Sequence, residues 1–133
     1  MDLACSLTNA FMADDDVLYE THYRALKEYY LEQTRLGALH PFLIETLADY
    51  TEDTKEALKY YEQALDLSRA AGEPMHTIMV DMAVRLHELG RNEQAEAFVR
   101  DGRLEALQRR DQDTVKDADE LLKALRASSD ERT

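Results

Sequence analysis

Apolar residues recur every three or four positions along most of this chain, the period of helices that each bury one face. A first short stretch, roughly Asp2 to Met12, places Leu3, Leu7, Ala10 and Phe11 on one side. Asp14, Asp15 and Asp16 then interrupt the pattern, offering caps and favourable negative charge to a second helix over Val17 to Leu36 that meets Gly37. Pro41 suits the first turn of a brief third helix, in which Leu39, Leu43, Leu47 and Tyr50 repeat and which ends near Thr51. Asp53 or Thr54 caps a fourth, whose stripe is Ala57, Tyr61, Ala64, Ser68 and Ala71 with Leu58 and Leu65 beside it, and Gly72 and Pro74 stop it. Met75, Met79, Met82, Leu86 and Leu89 define a fifth helix that Gly90 closes. Asn92 is a natural cap for a sixth, where Ala95, Val99, Gly102 and Ala106 continue as far as Arg109 and Arg110. Thr114 to Asp117 approximates a capping box and opens a last helix bearing Val115, Ala118, Leu121, Leu122 and Leu125.

The chain also repeats itself. Ala25-Leu26-Lys27 returns as Ala57-Leu58-Lys59 after 32 residues, and the column of small residues continues at Ala95, another 38 on. Tyr29, Tyr61 and Val99 keep both offsets, while Gly37 and Gly72 lie 35 apart and Pro41 and Pro74 lie 33 apart. A period in the mid-thirties means stacked helical hairpins. Ala or Gly at a crossing lets two helices approach closely, and each pair keeps an apolar face that only the next pair covers.

Met82-Ala83, Leu86, Gly90, Ala95, Val99 and Gly102 resemble, in register, the tetratricopeptide repeat (TPR) pattern, with Met79 in place of the usual aromatic. That pattern sets small residues where two helices cross, a bulky residue four later in the second helix, and a Gly in the turn. Leu47-Ala48, Ala57-Leu58, Tyr61 and Ala64-Leu65 match it as well, across a shortened turn that has no Gly, as a degenerate repeat does. Tyr60 to Leu67 resembles the second helix of the longer repeats in kinesin-light-chain-like and bacterial regulatory TPR proteins. The resemblance implies an all-α fold, a right-handed α-solenoid of stacked antiparallel helix pairs forming one domain over 1–127. Its parts are an incomplete first unit (17–37), a degenerate repeat (38–72), a clearer repeat (73–110) and a C-terminal capping helix (114–127), with a disordered tail at 128–133.

In TPR arrays the first helices of successive pairs line a concave groove. The resemblance assigns Thr77, Val80, Val84 and His87 to that groove from the clearer repeat. By an offset of 35, from Leu47 matching Met82, it assigns Phe42, Glu45, Asp49 and Glu52 from the earlier one. The Lys, Arg and Asn with which some members clamp the carboxylate tail of large chaperones are absent from these positions. The expected ligand is a basic or amphipathic protein segment, with Lys or Arg opposite Glu45, Asp49 and Glu52 and an apolar anchor near Val80 and Val84. All 7 Tyr lie at or before Tyr61, and two adjacent pairs cannot point wholly inward: Tyr29 and Tyr61 are expected in the core, Tyr30 and Tyr60 as partner contacts.

Composition narrows the function. The 133 residues suffice for one core. The net charge is −12, with residues 1–66 carrying 14 acids against 5 bases (−9) and residues 67–133 carrying 14 against 11 (−3). Such a surface repels phosphate backbones and anionic lipids, so neither nucleic acid nor membrane is an expected partner. Cys5 is the single cysteine, expected to be a small buried apolar residue, and with no export signal or membrane span read from the sequence the expected location is cytoplasmic. No metal or cofactor is expected. His22, His40, His76 and His87 form no metal-binding pair and are read as surface residues, and the acidic run from Asp111 fails the calcium-loop pattern at Lys116 and Leu122. The expected function is non-enzymatic: an adaptor, a dedicated chaperone or a partner-specific inhibitor. Two alternatives stay open, a metal-dependent or hydrolytic enzyme built from scattered His, Asp and Glu, and a self-associating helical protein that buries its Tyr-rich half in a homodimer.

Overall fold

The computed structural model describes residues 16–131. All regular structure there is helical: α1 (Asp16–Leu36), α2 (Pro41–Asp49), α3 (Thr54–Ala71), α4 (His76–Glu88), α5 (Asn92–Gln108) and α6 (Gln112–Glu131), with no strand among the described residues. None of these helices is long and apolar enough to cross a membrane. The expectations for a helix over Asp2–Met12 and for Cys5 lie outside the described residues.

Local chemistry explains most of the ends. Pro41 opens α2, where the His40 ring accepts the Phe42 N–H at 3.1 Å. Asp53 caps α3 by accepting the Glu56 N–H at 2.8 Å. At its far end Gly72 takes a left-handed φ of 68°, and the Glu73 and Gly72 N–H groups return to the Ser68 and Arg69 carbonyls, which satisfies two otherwise orphaned acceptors. Arg110 fills the same position after α5 with a φ of 59°, although it has a Cβ to accommodate.

Two expected caps shift. Asn92 is already the first residue of α5, and its side chain meets the His87 ring at 3.0 Å instead of capping. The cap of α6 is Asp111, whose carboxylate accepts the Thr114 N–H (3.2 Å) and hydroxyl (2.7 Å), so the helix starts two residues before Thr114. It also continues to Glu131, which makes 128–131 helical where a disordered tail was expected.

Each helix packs against the next along the chain, and α4 touches α6 as well. The main core runs through α2 to α6, with Ile44, Ala48, Ala57, Ala64, Ala83, Ala95, Val99 and Ala118 fully covered. Several of these are alanines, whose small side chains let neighbouring helices pack closely. A Cβ on Gly102 would lie 2.9 Å from Val80 Cγ2 and 3.1 Å from the His76 carbonyl, so α4 and α5 meet at a distance only glycine permits. By contrast, α1 joins through a small cluster of Leu26 and Leu47 ringed by half-buried tyrosines.

Candidate functional site

The polar faces of α2 and α4 converge. Glu45 and Asp49, four residues apart and hence on one side of α2, approach Asp81 of α4, and oxygen atoms of the three carboxylates all lie within 4.8 Å of one another. Ionised, such a group would repel itself strongly. Burial, the neighbouring charges of Asp49 and Glu45 and hydrogen bonds to both push Asp81 up to about 9, so at neutral pH it keeps a proton and donates it to its neighbours. Burial raises Glu45 and Asp49 too, opposed by bonds from Thr77 to Glu45 and from Tyr61 to Asp49. The Tyr61 hydroxyl donates to Asp49 Oδ1, and burial followed by the Asp49 charge raises its own pKa.

Arg85, one turn beyond Asp81, anchors the arrangement. Its guanidinium donates to the carbonyls of Thr51 (2.8 Å), Ala48 and Asp49 (both 3.4 Å), at and just beyond the C-terminal end of α2, where a positive charge is favourable. A cation on α4 thus caps α2 and fixes the facing of the two helices. The carboxylates offer the hard oxygen donors that Mg²⁺ and Ca²⁺ prefer, but three such atoms are well short of the roughly six to eight that calcium takes.

The structure sorts the sequence-derived residues. Phe42, one turn before Glu45, is 67% exposed, and Val84, one turn after Asp81, is 40% exposed. Thr77 is half-buried beside Glu45. Val80 is not on this face: at 3% exposure it fills the contact with Gly102. His87 also turns away, its Nδ1 engaged with Asn92. The α4 face is therefore Thr77, Asp81 and Val84, rotated from the expected stripe because Val80 and His87 serve the contact with α5.

Glu52 stands apart from the carboxylate group, in a cleft of about 380 Å³ between α1 and the α2–α3 turn. Tyr19, Tyr23 and Tyr50 line this cleft with it. The two tyrosine pairs also depart from expectation. Tyr29 is 49% exposed, whereas Tyr30 is half-buried and donates to Gln63 at 2.7 Å. Its ring meets the edge of Tyr60, with centroids 5.4 Å apart. Tyr60 donates to Glu56 at 3.3 Å, and burial followed by the Glu56 charge pushes it up to about 12. Tyr30 and Tyr60 join α1 to α3 and are not free contact residues; Tyr61 is in the core as expected.

His76 is buried, not on the surface. Its Nε2 lies 2.9 Å from the Asp111 carboxylate and its Nδ1 3.5 Å from Glu105, whose oxygens also accept the Met75 N–H, so the histidine joins the start of α4 to both following helices. Asp81, Arg85, Tyr19, Tyr23 and Tyr50 were missed as site residues. Asp81 is the one acid between Glu73 and Glu88, a lone carboxylate in an apolar helix, and Tyr19 and Tyr23 are four apart.

The chain matches no protein-family model, and no curated protein or solved structure is significantly similar to it.

Proposed function

We propose that this chain is a TPR-like α-solenoid that binds another protein without catalysis, holding a basic or amphipathic segment against the face shared by α2 and α4. The observation that carries this reading is the meeting of Glu45, Asp49 and Asp81, flanked along their helices by the exposed apolar side chains Phe42 and Val84. Acidic groups between apolar anchors suit a segment that alternates Lys or Arg with large apolar residues. The packing of each helix on the next, and the approach of the first helices of successive pairs through Arg85 and the carboxylates, support the solenoid reading. With His76 and His87 both engaged in helix-to-helix bonds, an enzymatic reading has weaker support. Adaptor, dedicated chaperone and inhibitor share this chemistry, and a cytoplasmic location accords with it.

Affinity capture with the full chain, followed by mass spectrometry, identifies the partner. Phe42→Ser with Val84→Ser removes the anchors at exposed positions, so the fold should persist while partner recovery falls at least tenfold. Equal recovery by the variant and the unaltered chain would refute the assignment of this face.

A further inference from the structure

The cleft beside α1 has a composition of its own. Tyr19 and Tyr23, one helical turn apart, hold their rings nearly parallel, at 7° with centroids 6.4 Å apart. Tyr50 stands at 60° to Tyr19, with its centroid 6.3 Å away. Hydrogen bonds fix this corner: the Tyr19 hydroxyl donates to the Tyr50 carbonyl, and the Tyr23 hydroxyl meets Thr51 Oγ1 at 2.8 Å. Four acids line the same cleft, Glu20, Glu52, Asp53 and Glu56, against two bases, Arg24 and Lys27, which leaves 4 − 2 = 2 excess negative charges. Lys27 is already paired with Glu56 at 3.3 Å. Burial, followed by the Glu52 charge, raises the pKa of Tyr19, so that carboxylate acts on the aromatic corner directly.

Aromatic ring faces are negative, and several of them beside a carboxylate attract an organic cation that is only partly desolvated. The volume, about 380 Å³, is at the small end for ligand sites and suits one side chain better than a cofactor. We infer that the Tyr19–Tyr23–Tyr50 corner, together with Glu52, is a subsite for the alkylammonium head of a lysine in the bound partner. The inference rests on the protein-binding reading above and adds a second contact point, on α1 and the α2–α3 turn, outside the α2–α4 face. It commits to a lysine, and the methylated form of that side chain is one arm of the test.

The test uses the full chain with isotope-labelled tyrosine rings, titrated with N-acetyl-lysine methylamide, its trimethylammonium form and the neutral norleucine analogue. Both cations should give saturable shifts at the rings of Tyr19, Tyr23 and Tyr50, and norleucine none. Glu52→Gln and Tyr23→Leu should each weaken binding about fivefold, while Tyr23→Phe, which keeps the ring, holds it within about twofold. Arg24→Gln, which removes a competing charge, should tighten it. Shifts equal for norleucine, shifts spread over all seven tyrosines without saturation, or none at all would overturn the inference. So would the trimethylammonium form binding while lysine does not, since the subsite would then need methylation. None of these results touches the Phe42 and Val84 capture experiment, so the two readings fail separately.

Discussion

Gly102 shows two residue-scale effects in competition. Replacing a helical glycine with alanine gains about 1 kcal/mol of helix propensity. Here the new Cβ would meet a stiff valine methyl at 2.9 Å and a backbone carbonyl at 3.1 Å, neither of which can swing aside. Overpacking costs about 1 to 3 kcal/mol, so the steric term wins. Gly102→Ala should lower the melting temperature by several degrees in a thermal melt followed by circular dichroism; a rise would mean that α4 and α5 are not held this close. Asp81 gives a pH-dependent counterpart. Its folded pKa is raised from 3.8 to about 9, so its contribution to stability is complete below the unfolded value and is lost as pH rises through that window. Asp81→Asn keeps the donor and removes the titration. Near pH 8 it should melt several degrees above the unaltered chain, and the difference should vanish near pH 4. If calcium raises the melting point of the unaltered chain and not of Asp81→Asn, an ion and not a proton holds the carboxylates together.

At the scale of elements, α1 differs from the rest. It is held by Leu26 and Leu47, tyrosine hydroxyls and an exposed ion pair, whereas α4 and α5 share several fully covered side chains. Native-state hydrogen exchange should therefore find α1 opening about 2 kcal/mol or more below α4 and α5; uniform protection would show that the tyrosine contacts are worth more than their area suggests. This asymmetry also marks where the sequence could be read. Asp53, Pro41 and Gly72 act on backbone groups within their own turn, so these helix boundaries follow from local chemistry. The face on α2 was legible because Phe42, Glu45 and Asp49 stand on one side of a short helix. The face on α4 was not, because that helix has neighbours on several sides and spacing alone cannot say which polar position meets which neighbour. Val80 and His87 fitted the stripe and went to α5, while Asp81 is explained only by Glu45 and Asp49, distant in sequence. The same holds for Tyr30, whose role depends on Tyr60 and Gln63.

The molecule as a whole carries −12, and the half that contains α1, α2 and most of α3 has most of it. If a basic segment binds as proposed, its association would be steered and its rate should fall as salt shortens the reach of the field, while dissociation would depend more on Phe42 and Val84. Protonation makes a sharper distinction. A lysine or arginine placed against Glu45 and Asp49 favours their ionised forms and those of Asp81, so binding must expel the shared proton. Raising the pH toward about 9 should then tighten the complex while it weakens the free fold, giving opposite slopes from one set of carboxylates. Calorimetric titration of the identified partner, in two buffers of different ionisation enthalpy, should show net proton release near neutral pH, and Asp81→Asn should reduce it. Proton uptake, or affinity and stability that fall together with rising pH, would mean that the partner's cations do not sit on this face.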